Sequence, residues 1–240
     1  MTKAVIFDFS GTLFHCEDTE SWLRGALGQV GIDAADDEVA FYAARLHESG
    51  GQPGGRSGFQ VPPQYASLWA RRDLSMADHR AAYTALTARA GLPWPGLVDV
   101  LYERHYAPEG WQAYPDTVAV LEQLRERGIP VAVLSNTGWD VRNVFKHFKV
   151  DRLVSAWVLS CEVGVMKPDP RIFQIACDLL GLGDAPGEVL MVGDDPEADS
   201  GARAIGCAFR LVAHLPVRER PRELLDVCGD VLGFGTQMGD

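Results

Sequence analysis

Four short segments carry the residues whose types and spacing could do chemistry. Asp8-Phe9-Ser10-Gly11-Thr12 sets a carboxylate and two hydroxyls around a glycine, and Ser135-Asn136 adds a hydroxyl and an amide. Lys167-Pro168 contributes an ammonium, and Gly193-Asp194-Asp195, with Asp199 close behind, contributes carboxylates. Carboxylates gathered on one edge suit a hard divalent cation such as Mg2+, which takes few protein ligands and keeps its waters. A lysine beside them is a point charge for phosphate, and Ser135 and Asn136 can donate to phosphate oxygens.

These groups act together only if the chain brings them to one place. Lys3-Ala-Val-Ile-Phe7 is a continuous apolar run ending at Asp8, the pattern of a strand buried on both faces of a parallel sheet. From Asp116 onward helices and strands alternate. Helices are expected over Asp116–Arg127 (capped by Asp116, ended by Gly128), Trp139–Phe148, Pro170–Leu180 and Glu197–Ile205. Strands are expected over Ile129–Leu134, Leu153–Leu159, Glu188–Val192 and Cys207–Val212, with a last short one at Asp230–Leu232. That alternation predicts an α/β fold with a doubly wound parallel sheet, whose ligands bind at the carboxyl ends of the strands. Each of the four segments follows such an end.

Between Glu17 and Ala90 the pattern is helical throughout. Trp22, Leu23, Ala26, Leu27 and Val30 share one helical face, Val39, Tyr42, Ala43 and Leu46 another, and two further patterns lie around 63–72 and 77–90. The glycines and proline of residues 49–58 break the helices with a loop. The expected division is an α/β core of residues 1–16 and 92–240 with a helical insert of residues 17–91.

Composition narrows the partners. The chain has 240 residues, with 33 acidic against 22 basic side chains and a formal net charge of −11. Such a field repels polyanions, so nucleic acid and anionic membranes are excluded as general partners. Only four of the basic residues are lysines (Lys3, Lys146, Lys149 and Lys167). A small anion must therefore be met in a localised site. Five widely spaced cysteines without a CxxC pattern read as reduced, buried thiols, and no apolar stretch reaches the length of a membrane span. The expectation is a cytoplasmic monomer or homodimer.

The four segments, in this order and each at a strand end, resemble the signature motifs of the haloacid dehalogenase-like (HAD) hydrolase superfamily. The helical insert resembles that family's C1-type cap on a Rossmann-like core. The resemblance implies that Asp8 is a nucleophile forming an aspartyl-phosphate and that Ser135 and Asn136 bind the transferring group. Lys167 would neutralise charge on both. Mg2+ would be held by Asp8, the main-chain carbonyl of Ser10, Asp194 and Asp195, and a small phosphorylated molecule is the implied substrate. Thr12 either braces the loop or touches substrate, Asp199 orients Lys167 or metal waters, and Arg56 on the glycine-rich loop is a candidate for a substrate anion.

The sequence departs from the family pattern at Ser10, where phosphatases of this superfamily carry a second Asp as general acid and base. A hydroxyl is a poor substitute near neutral pH, and the missing group contributes ~10²–10⁴-fold. Three readings stay open: a slow or leaving-group-selective phosphohydrolase, an enzyme that borrows His15 as acid/base, or a phosphate-binding regulatory protein without turnover. A 2-haloacid dehalogenase would also lack the second Asp, but it needs no metal, and Gly193-Asp194-Asp195 reads as a metal site. A phosphonatase would need a cap lysine, and residues 17–91 contain none.

Overall fold

In the computed structural model, which describes residues 2–54 and 59–233, β1 (Ala4–Phe7) lies at the centre of a five-stranded parallel sheet. Its partners are β4 (Val131–Ser135), β5 (Ala156–Leu159), β6 (Val189–Gly193) and β7 (Ala208–Leu211), in the order β5-β4-β1-β6-β7. All four residues of β1 are fully buried, which is why its sequence is apolar without alternation. Val5 pairs with Val131 on one side and Leu190 on the other. The chain builds outward from β1 through β4 to β5, then returns to add β6 and β7. The switch in direction therefore lies between β1 and β6, where a crevice forms at the carboxyl ends.

Helix α6 (Thr117–Glu126) and helix α9 (Pro170–Leu179) flank this sheet. Helix α9 starts on Pro170, with Asp169 accepting from the Arg171 N–H at 2.9 Å, and buries Ile172, Phe173, Ala176 and Cys177. These side chains pack with Ile6, Leu134, Val158 and Met191. Fully burying each large one contributes ~2 kcal/mol. The packing fixes the start of α9, and with it Lys167 three residues earlier.

The chain divides into two units. One is the α/β unit of Met1–His15, Ala113–Asn136 and Phe145–Asp240, and the other is Cys16–Gln112 with Thr137–Val144. Strands β2 (Phe14–Cys16) and β3 (Trp111–Ala113), which the sequence pattern does not announce, form a separate two-stranded sheet. The second unit is helical, built on α1 (Thr19–Gln29), α2 (Asp36–Ser49), α4 (Met76–Ala88) and α5 (Leu97–Arg104), with the single turn α3 (Ala66–Trp69) between α2 and α4. Its core joins Trp22, Leu23, Val39 and Leu46 to Leu97 and Leu101. The Trp22 indole donates to the Leu101 carbonyl at 3.0 Å. That packing brings α5 into the unit, which runs to Gln112, whereas the helical pattern of the sequence places the boundary at 91.

Other differences are local. The 197–205 segment is a 3-10 helix over Asp199–Ile205, and helix α7 covers only Arg142–His147 of the 139–148 pattern. Residues 230–232 form a turn instead of a strand, and Asp116 accepts from Leu225 N at 3.1 Å without capping α6. Three residues are too few to hold a strand by pattern alone, and a tertiary donor outcompetes the cap for Asp116. Among the described residues no helix is long and apolar enough to cross a membrane.

Candidate active site

Asp8 directly follows β1, Asp194 follows β6, Ser135 ends β4, and Lys167 lies between the short helix α8 (Ser160–Val163) and α9. The Lys167 ammonium donates to Asp8 Oδ1 at 2.6 Å and to Asp199 Oδ1 at 2.5 Å, and it lies 3.4 Å from the Leu134 carbonyl. All three charged residues are buried. Asp8, Asp194 and Asp199 each bring one carboxylate oxygen within 4.8 Å of the others.

Each of these side chains is held by a neighbour. Asn136 donates to the Lys167 carbonyl at 3.0 Å, and its own oxygen accepts from the Lys167 N–H at 2.8 Å. Both ends of the amide expected to meet substrate therefore fix the lysine. Asp199 Oδ2 accepts from Asp195 N at 3.0 Å, close to Gly193, where a Cβ would run into the Asp199 carboxylate. The Thr12 hydroxyl lies 3.2 Å from Asp194 Oδ1 and 3.4 Å from Asp8 Oδ2, so it braces the loop after β1 against the acid after β6. Gly11, at φ +85°, lets the backbone turn there without touching Asp194.

Burial pushes the Asp8 carboxyl well above the usual carboxylate range; Lys167 pulls it back, while Asp199 and Asp194 add to the rise. Burial likewise raises Asp199 against the pull of Lys167. Burial works against the Lys167 ammonium too, yet Asp199 and Asp8 outweigh it and hold its pKa above the ordinary lysine value. For Asp194, burial is overcome by the His214 hydrogen bond and by nearby positive charge, and its pKa is lowered. The ammonium thus stays charged while sharing two carboxylates, and Asp194 stays an anion beside them.

Other expected residues fall elsewhere. Asp195 is exposed, and its Oδ1 accepts from Glu197 N at 2.8 Å and Ala198 N at 2.9 Å. Asp199, not Asp195, completes the carboxylate cluster. Ser135 is buried at its strand end. Ser10 Oγ is buried with no hydrogen-bond partner. His15 stands beside His214, ring centroids 5.3 Å apart, and edge-on to Tyr114 at 6.1 Å. Burial and Glu17 push the Cys16 thiol up to about 12, so it is not a reactive thiolate. Arg56 lies outside the described residues.

Two residues went unseen in the sequence. His214 Nδ1 lies 2.7 Å from Asp194 Oδ2, and Arg220 is buried against the loop after β1. His214 was within reach of the strand-end rule, since it comes three residues after β7. Arg220 carried no signal.

The sequence model of the haloacid dehalogenase-like hydrolases matches residues 2–206. The chain belongs to that family. It is 29% identical to (S)-2-haloacid dehalogenase 4A of Burkholderia cepacia, over 85% of this chain and 80% of that enzyme. It is also 28% identical to the phosphoglycolate phosphatase of Rhodospirillum rubrum, over 100% of this chain and 95% of that one. The L-2-haloacid dehalogenase from Xanthobacter autotrophicus superposes with a TM-score of 0.62 at 23% identity, covering 94% of this chain and 83% of that one, which shows a shared fold. This HAD hydrolase thus has both phosphatases and dehalogenases among its relatives.

Proposed function

We propose that this hydrolase is a Mg2+-dependent phosphohydrolase acting on a small phosphorylated metabolite through an aspartyl-phosphate on Asp8, with the helical unit as its cap. The observation that carries the reading is the cluster of Asp8, Asp194 and Asp199 around the Lys167 ammonium. Displacing halide from carbon needs a carboxylate nucleophile but no cluster of hard oxygen donors. Phosphoryl transfer uses one.

The donor set fits a hard cation, being made of carboxylate oxygens. Asp8, Asp194 and the Ser10 carbonyl would hold it, while Asp199 is engaged by Lys167 and by Asp195 N. When bound, Mg2+ supplies positive charge against the phosphoryl oxygens. Asp8 Oδ2, the oxygen that Lys167 leaves free, attacks phosphorus, and the bond to the leaving oxygen breaks with its electron pair departing on that oxygen. Lys167 fixes Oδ1 and offsets the growing charge. Ser135 is at the strand end to donate to the transferring group. Water then attacks the acyl-phosphate, releasing phosphate and restoring the carboxylate.

Ser10 cannot protonate the leaving oxygen, so acyl and aryl phosphates, which leave as stable anions, react fastest. Serine at position 10, which supplies no general base for the second step, also favours a second reading, in which the phospho-enzyme forms but does not turn over. The experiment incubates purified protein with acetyl phosphate and Mg2+ while following phosphate and protein mass. Steady phosphate release, lost in Asp8→Asn, is the expected result. A persistent 80-Da adduct (about one phosphoryl group) without release would establish the second reading. Metal-independent halide release from 2-chloropropionate would replace both with dehalogenation.

A further inference from the structure

His214 and Arg220 lie beyond residues 2–206, the span that the family model matches. They nevertheless belong to the α/β unit and reach back to its first loop. Arg220 Nη1 donates to the Gly11 carbonyl at 2.6 Å and to the Ala213 carbonyl at 3.0 Å, and Nη2 donates to the Thr12 carbonyl. Its guanidinium lies over the Tyr114 ring, 3.2 Å from the centroid, and the Tyr114 hydroxyl donates to the Leu215 carbonyl at 2.7 Å. Glu223 accepts from the Ala213 N–H at 3.0 Å. Arg220 therefore ties the loop after β7 to the loop after β1 at Ala213, and Tyr114, beneath its guanidinium, holds Leu215 on the other side of His214.

That tie delivers an imidazole to a carboxylate. His214 Nδ1 stands 2.7 Å from Asp194 Oδ2, and because an ionised carboxylate only accepts, Nδ1 carries the hydrogen. Thr12 approaches the other oxygen, Oδ1, at 3.2 Å. The carboxylate plane is thus set from two directions. Any side chain at Gly11 would run into both Asp194 Oδ2 and His214 Nδ1, so the contact also depends on that glycine.

We infer that His214 is a positioning residue for Asp194, and through it for the divalent cation, held in place by the Arg220 clamp. The inference rests on the reading that Asp8 and Asp194 bind a divalent cation. Hydrogen-bond partners of metal-binding side chains typically account for 10–100-fold in metal affinity, because an unrestrained carboxylate must be ordered when the metal binds. His214 acts here as a fixed donor.

The test is direct titration of the full chain with Mn2+, read by the electron paramagnetic resonance of free Mn2+, so that no turnover is needed. His214→Ala should weaken Mn2+ binding 10–100-fold. His214→Asn places an N–H donor where Nδ1 stands and should remain within a few-fold of wild type. His214→Gln puts its donor one bond too far and should behave as Ala. Melting of the metal-free proteins shows whether each variant is folded. Equal affinity in wild type and His214→Ala overturns the inference, as does an Asn variant no better than Gln. A wild-type chain that binds no Mn2+ overturns the metal-dependent reading itself, which is a separate and distinguishable failure.

Discussion

The α/β unit and the helical unit each bury a cluster of titratable side chains, and the two clusters meet opposite fates. In the α/β unit Lys167, Asp8 and Asp199 are buried together as a hydrogen-bonded set, and Arg220 is enclosed by three carbonyls and an aromatic face. In the helical unit His79 and His105 stack at 5.5 Å amid aromatic rings, among them Tyr83, Tyr102 and Trp139. Burial drives His79 down to about 3, helped by Arg72, and drives His105 well below its ordinary value. The imidazoles are therefore neutral at physiological pH. Burial beside opposite charge shifts Lys167 and Asp194 towards their charged forms, whereas burial among rings turns a histidine into an aromatic packing residue. The residue type alone does not say which outcome a position receives.

The sharpest way to break this contrast is to remove the partner. Lys167→Met fills similar volume but leaves Asp8 and Asp199 facing each other without a cation. Breaking a buried pair in this way costs about 3–5 kcal/mol, and turnover should vanish with it. Urea unfolding and phosphate release measure the two effects. A variant as stable as wild type would show that the carboxylates simply take up protons, and that the ammonium is there for catalysis alone.

The histidine pair gives a smaller effect with a definite sign. Above about pH 6.5 neither the folded nor the unfolded chain protonates these imidazoles, so they contribute no pH dependence. Below it the unfolded chain binds protons that the buried rings cannot, so stability falls as pH falls. The loss is about 1.4 kcal/mol per histidine at pH 5.5. The groups facing His79 are the Tyr102 hydroxyl at 2.9 Å from Nδ1, Asp73 at 4.0 Å from Nε2, and Arg72. Comparing unfolding at pH 7.5 and 5.5 in wild type and His105→Phe isolates the contribution. The variant should lose about half of the excess acid sensitivity; an unchanged loss would mean that His105 protonates in the fold.

How much of this was legible follows from the same distinction. The parallel sheet was readable because buried strands must be apolar throughout, and the strand-end positions of Asp8, Ser135 and Asp194 were readable from where those apolar runs stop, whereas Lys167 lies beyond α8. The helical unit's extent was not, since α5 belongs to it only through the packing of Leu97 and Leu101 on Trp22 and Leu23. Asn136 and Asp195 carry the expected residue types, yet their hydrogen bonds go to the backbone of Lys167 and of Glu197 and Ala198. Spacing identifies the side chain at a site but not which neighbour will claim it. Arg220 is the extreme case, because its partners are carbonyls that any sequence would offer.

Ser10 is where the paired environment of the α/β unit has a gap, and filling it sharpens the comparison most finely. Its hydroxyl is buried without a partner, close in sequence to an aspartate whose carboxyl burial already holds high. A carboxyl introduced by Ser10→Asp would start from a position where the hydroxyl is already buried, and desolvation acts against its charged form. It should therefore favour its protonated form, which is the form that a leaving alkoxide requires. The expected gain is about tenfold in kcat for an alkyl phosphate, the lower side of what a positioned acid contributes, with little change for acetyl phosphate. An equal gain on both substrates would point to a structural repair of the loop. No gain on either would mean that leaving-group protonation is not what limits this enzyme, and that a partnerless group can be tolerated at its centre because the paired charges around it do the work.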